Sequence, residues 1–324
     1  MMSSALKMKT YPRVFLIAVV SLSSFFGTAT VHAQARTVNG VNLQRIADGV
    51  LSLMGYSLTP DVTTGSLAIS SDPTGNPNID MTVLGGGFTV SEDTPLYLEG
   101  TLGYSLYDPI FVVTAGQEER SVPTRWTTVS ASGGVGWDFP IANNLKFRPI
   151  ANMSYGRMTT DGSVAGFVLE ELTGDEIQFL MNGEMNVLGL GGTVMLDYER
   201  YRPENEIDVE LRYTNIYLES TANSSAAVQG SSDAQSVSLW ARWRAPTRMS
   251  ALGRPIRYVF EIAHTEFLGD LRGALGFTAL SSVGTGLELD SSAHNVLVER
   301  TRLVARYLFG GSVDGVSLGL AVSF

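Results

Sequence analysis

Three histidines, no cysteine and 34 glycines bound the chemistry open to this chain of 324 residues. His264 stands in "AHTEF" with Glu266 and Asp270 close behind, His294 lies in "DSSAHN", and His32 falls in the polar run that follows the apolar opening stretch. Neither His264 nor His294 has a serine two residues on, so no local His-x-Ser pair offers a nucleophile and base. A remote serine meeting His264 is expected by chance more often than as a triad. Without cysteine, neither a disulfide framework nor a thiolate metal site is possible. The glycine clusters "LGGGF", "SGGVGW" and "LGLGGT" touch the dinucleotide fingerprint superficially, but each lies in a strand-like run with no helix behind it to receive a phosphate. The sequence therefore assigns no catalytic, cofactor-binding or metal-ligating residues, and no cofactor.

The elements around these residues alternate. In the closing "GVSLGLAVSF", Val316, Leu318, Leu320, Val322 and Phe324 take every second position, with small residues between them. Period two belongs to a strand that meets different surroundings on its two faces. Twelve such segments follow residue 60, near 62–70, 79–90, 96–107, 125–139, 145–158, 185–200, 206–221, 235–246, 255–268, 275–290, 296–309 and 314–324. Connections after even-numbered segments are mostly short ("SEDTP", "PIANN", "YRPEN"); several after odd-numbered ones are long. "APTRMSALGRP" is longer than this rule predicts.

Face assignments follow the same period. Leu145, Phe147, Ala151, Met153 and Tyr155 oppose Lys146, Arg148, Asn152 and Ser154. Ile207, Val209, Leu211, Tyr213 and Tyr217 oppose Asp208, Glu210 and Arg212, and Leu303, Ala305, Tyr307 and Phe309 oppose Arg300, Arg302 and Arg306. From Phe147 to Tyr155 a strand covers about 26 Å, or about 20 Å of height at a 40° tilt, near the apolar band of a membrane barrel. Pro149 sits mid-strand, where the missing N–H predicts a local break in a ladder.

The fold class expected is all-β: a twelve-stranded antiparallel transmembrane barrel of outer-membrane type, with a short N-terminal helix in or under the lumen. Residues 1–33 read as a cleaved secretory signal, with Lys7, Lys9 and Arg13 ahead of the apolar run from Val14 to Phe26. Residues 34–60 read as a helix and linker that could plug the bore, with Leu43, Ile46, Ala47, Val50 and Met54 on one face, and residues 61–324 as the barrel. An even strand number returns both chain ends to the periplasmic side. The formal net charge of −10 becomes more negative once the basic leader is removed, which argues against nucleic acid as a partner.

The charges fall on the face opposite the apolar one. Glu99, Asp197, Glu199, Asp208 and Glu210 are assigned to one arc of the lumen, and Arg242, Arg244, Arg257, Arg300, Arg302 and Arg306 mainly to the other. Such a lumen is either a water-filled pore with a transverse field or a salt-bridged plug. Arg45 and Asp48 on the helix could partner the two arcs. The stretch 159–184 is too apolar for a plain surface loop, and its carboxylates read as a solvated acidic face.

A last strand ending in Phe324 resembles the sorting signal read by the barrel assembly machinery during biogenesis. Twelve strands, an exported precursor and a helix-like "VNLQRIADGVLSLMGYS" before the first strand are similar to the translocator domain of autotransporters. Fewer than about ten residues separate the expected cleavage from that helix, leaving no room for a passenger. The chain thus resembles the solitary outer-membrane autotransporter barrel family. The resemblance implies a structural or transport-related barrel rather than an enzyme, embedded among outer-membrane lipid and lipopolysaccharide. An open small-solute channel is the alternative, and an outer-membrane hydrolase a weaker one. The sequence leaves the oligomeric state open.

Overall fold

The computed structural model describes residues 36–38, 51, 54–55, 65–67, 79–107, 110–115, 118–162, 183–221, 230–274, 276–291, 300–311 and 313–323. Fifteen strands are present among them. They are β1 (Arg36–Val38), β2 (Gly65–Leu67), β3 (Ile79–Thr89), β4 (Leu96–Tyr107), β5 (Ile110–Ala115), β6 (Glu118–Trp137), β7 (Phe139–Ala142) and β8 (Leu145–Gly162). There follow β9 (Glu184–Tyr201), β10 (Glu206–Ser220), β11 (Ser231–Ala251), β12 (Arg254–Gly269), β13 (Ala279–Asp290), β14 (Arg300–Gly310) and β15 (Asp314–Ser323).

Twelve of these strands form a ring. Antiparallel ladders run from β8 through to β15, β15 meets β2, and β2, β3, β4 and β6 continue the sheet until β6 pairs again with β8. The seam at β2 is slender, with Ser66 opposite Val316 as its register pair. Closure leaves no long edge for another chain to pair with. The strands expected from alternation are those of the ring.

Side chains sort by period two. Leu102 is 58% exposed, Met153 61%, Leu190 58% and Ile262 57%, an apolar exposure that water would not tolerate as one continuous belt. Aromatic residues flank the belt. Trp137, Phe139, Trp243 and Phe260 lie toward the short turns, and Tyr104, Tyr155, Tyr217, Tyr307 and Phe309 toward the other end. Two such girdles around an apolar band mark a wall that faces lipid.

The ring's geometry departs from the sequence reading in three places. The stretch after Tyr107 is not a plain loop, because β5 and the start of β6 pair as a hairpin extending beyond the ring. "APTRMSALGRP" is not a long connection: β11 and β12 stay paired to Ala251↔Arg254, absorb a register shift between Pro246 and Ser250, and turn at Leu252 and Gly253. Both turn residues have positive φ, 53° and 72°, the backbone a tight hairpin demands. Finally, the first described strand does not lie on the side where β15 ends. Ser323 ends β15 at the short-turn end, whereas β1 runs parallel to β5 at the opposite end.

Pro149 produces the expected break. The β6–β8 ladder stops at Gly136↔Ile150 and resumes as β7–β8 at Phe139↔Phe147, so the interruption falls opposite the residue that lacks an N–H.

Candidate functional site: the lumen

Two layers of different chemistry fill the ring's interior. The layer at the short-turn end is ionic. Glu99, on β4, receives both guanidinium nitrogens of Arg212, on β10, at 2.9 and 2.7 Å. These strands are not neighbours, so the pair is a chord across the bore rather than a rung between adjacent strands. Asn152 also donates to Glu99 at 2.7 Å, and the Thr193 hydroxyl donates to Asn152 at 2.8 Å. Nearby, Arg148 reaches Asp197 at 2.9 Å and bonds Asp138 through two nitrogens, while its guanidinium lies 3.8 Å from the Tyr97 ring centre. Lys146 meets Glu199 at 3.0 Å on the rim.

The other half of this layer is centred on Arg244, whose side chain has no exposed surface. It lies 2.9 Å from Glu206, 3.1 Å from Asp208 and 3.3 Å from Glu288. Glu206 collects two further cations, Arg257 and Arg300, each at 2.7 Å. Arg242 holds Asp208 at 2.8 Å, Arg302 holds Glu288 at 3.0 Å, and Arg306 holds Glu261 at 2.9 Å. Charges withdrawn from water require such partners, since an unpaired one would cost several kcal/mol.

The two-arc arrangement is therefore corrected. Arg148 and Arg212 stand among the acids of the first group, and Glu206, Glu261 and Glu288 among the arginines of the second. Interleaving cancels most of a transverse field. Glu210 sits half-buried on the same face as Asp208 and Arg212. The arginines are among the lumen charges expected from alternation, whereas their partners Glu206, Glu261, Glu288 and Asp138 are not. Their signal was available, since each lies on the inward parity of its strand or at its end.

Glycine makes room for this layer. A Cβ on Gly134 would sit 2.6 Å from Asn152 Nδ2 and 2.7 Å from Glu99 Cγ, so the Glu99 side chain lies where a larger residue would stand.

The layer at the long-loop end is apolar. Leu51 and Met54 are 0% and 1% exposed and pack within one cluster with Met158, Met185, Val187, Leu218, Phe267 and Leu271. Of the expected N-terminal helix only Leu51, Met54 and Gly55 are among the described residues, and these three are helical. A Cβ on Gly55 would meet Leu271 Cδ2 at 2.7 Å and Ala234 Cβ at 3.0 Å, and one on Gly156 would overlap the Met54 thioether. Leu51, which the helical face read from the sequence omitted, is as buried as Met54. The leader, Arg45, Asp48, His294, Phe324 and residues 163–182 of the apolar loop lie outside the described residues.

Residues 54–168 match the profile of a family described as "Autotransporter beta-domain". Over that stretch the chain is similar to autotransporter beta-domains. The likeness is to the family type that the sequence resembles, and the described strands close into a ring of the same kind of fold. No curated protein matches the sequence.

Among solved structures, the transport unit of the autotransporter AIDA-I from Escherichia coli shares 11% identity, with 88% of this chain and 99% of that one covered and a TM-score of 0.49. The beta domain of the Bordetella autotransporter BrkA shares 12% identity over 76% of this chain and 90% of its own, with a TM-score of 0.45. The translocator domain of NalP from Neisseria meningitidis shares 11% over 76% and 81%, with a TM-score of 0.40.

Proposed function

We propose that the protein is exported through a leader cleaved after residue 33 and stands in the outer membrane as an autotransporter-type barrel whose lumen is held largely closed. The role is structural or transport-related, and the lumen is not a catalytic site. Outer-membrane lipid and lipopolysaccharide surround the wall, and the barrel assembly machinery reads the terminal sequence alternation that includes Phe324.

The observation that carries this reading is the doubled obstruction. Leu51 and Met54 are buried inside the long-loop end, and the Glu99–Arg212 and Glu206–Arg300 pairs span the bore beneath them. Burying two side chains of this size contributes about 1.5–3 kcal/mol each, so the segment is seated rather than loosely tethered. In this reading Arg45 and Asp48 are partners for the charged lining, and Glu99, Asp197, Glu199, Asp208 and Glu210 with Arg242, Arg244, Arg257, Arg300, Arg302 and Arg306 form the lining that keeps the lower bore closed.

Swelling of liposomes that contain the refolded mature protein tests this. Uptake of small sugars should stay near that of empty liposomes. Rapid uptake scaling with sugar size would establish the open small-solute channel instead.

A further inference from the structure

Among the described residues, the outward wall carries a polar group on β12 and β13 that the lumen does not explain. Register pairs His264 on β12 with Ser281 on β13, and His264 Nδ1 lies 2.8 Å from Ser281 Oγ. On the other side of the ring, Nε2 lies 3.5 Å from Glu266 Oε1. The His264 and Glu266 side chains are 49% and 48% exposed. Their neighbours on the same face are Ile262, 57% exposed, Val283, 48%, and Phe309, 39%, the last directly across from Ser281. Serine, imidazole and carboxylate thus stand in line on the lipid-facing wall, near its long-loop boundary. Polar side chains there are costly unless they lie close to the interface.

We propose that Ser281, His264 and Glu266 form a hydrolytic site for the carboxylic esters of membrane amphiphiles. The arrangement has the three parts an activated serine needs: nucleophile, base within hydrogen-bond reach, and a group that orients the base. The sequence has no serine two residues after His264, whereas the sheet supplies one from the next strand.

In the reaction, Ser281 Oγ attacks the ester carbonyl carbon while His264 Nδ1 takes the hydroxyl proton. The ester C–O bond breaks and the same proton goes to the departing alcohol. Water then attacks the acyl-serine, His264 takes its proton, the acid leaves, and Ser281 Oγ recovers a proton from the imidazole. Glu266 is a positioning residue that favours the imidazolium formed in each half.

The test uses the full mature chain refolded in detergent micelles, with folding read in every sample by its heat-modifiable electrophoretic shift. A fluorophosphonate probe should form an adduct that peptide mass spectrometry maps to Ser281, and p-nitrophenyl laurate should be hydrolysed. His264→Gln keeps a hydrogen-bonding side chain beside Ser281 but removes the base, so turnover should fall on the order of 10²–10⁴-fold. Glu266→Gln should lower kcat with KM little changed while leaving the folded fraction unchanged. No adduct at Ser281 in the folded barrel, or an adduct equally strong in His264→Gln, would overturn the site and leave a cross-strand hydrogen bond in its place. The outcome is independent of whether the lumen is closed.

Discussion

The two layers of the lumen fill it by opposite physics. At the short-turn end charged side chains lock one another, and at the long-loop end Leu51 and Met54 exclude water from a cluster of thioethers and aliphatic groups. The ionic layer belongs to the ring itself, since its partners are residues of β4 and β6 through β14 and the loops at their ends. The apolar layer depends on a segment that precedes the ring in the chain. A barrel built this way has one fixed partition and one that removal of a short stretch could empty. The difference also predicts how each responds to damage: ionic contacts fail by stranding a charge, apolar ones by leaving a cavity.

The largest effect should follow from Arg244→Leu. It leaves Glu206, Asp208 and Glu288 facing one another with less countercharge, and breaking a buried ion pair from one side costs about 3–5 kcal/mol. The urea midpoint of the folded barrel in lipid vesicles should drop accordingly. A midpoint unchanged from the parent would remove the ionic layer from the account.

In the apolar layer Met54→Ala should cost about 2–5 kcal/mol by the usual loss of buried side-chain volume, but with a local consequence. Protease added from the long-loop side should cut the N-terminal segment sooner while the ring stays intact. Equal loss of the whole barrel would mean that the segment is part of the ring's own stability.

A smaller change sharpens the boundary between the layers. Gly156→Ala puts a methyl where the Met54 thioether lies, and overpacking costs about 1–3 kcal/mol. Adding Met54→Ala to Gly156→Ala should restore much of that loss, since the added methyl then fills space that the side chain vacated. Additive losses in a double-mutant cycle would contradict the contact.

The smallest effect should come from replacing Glu99 and Arg212 together by Leu and Met. A buried pair exchanged for apolar residues of similar volume is often neutral, whereas Arg212→Met alone should destabilise strongly. Melting of the two variants side by side gives the coupling directly.

Much of this fold was legible in the sequence because period two is local: each strand declares its two faces within ten residues. The lipid side of β8, from Phe147 to Tyr155, and the broken ladder at Pro149 needed no knowledge of any other strand. Partner choice was not legible in the same way. Glu99 and Arg212 are 113 positions apart and meet because the ring curves, a property of closure rather than of either strand. The hairpin of β5 and β6 was passed over because its residues sit in a stretch that reads as loop, and its pairing extends beyond the ring. The β11–β12 turn was misjudged because Pro246 mimics a strand end, whereas the sheet absorbs it by a register shift. Ser281 was missed for a related reason, since a cross-strand neighbour is invisible to a search along one strand.

Single-channel current across a planar bilayer, recorded for the mature chain beside a version lacking residues 34–58, measures closure itself. The account predicts near silence from the full chain and steady conductance from the shortened one, with the ionic layer setting its size. Equal conductance from both would show that the segment does not close the bore, and would contradict it.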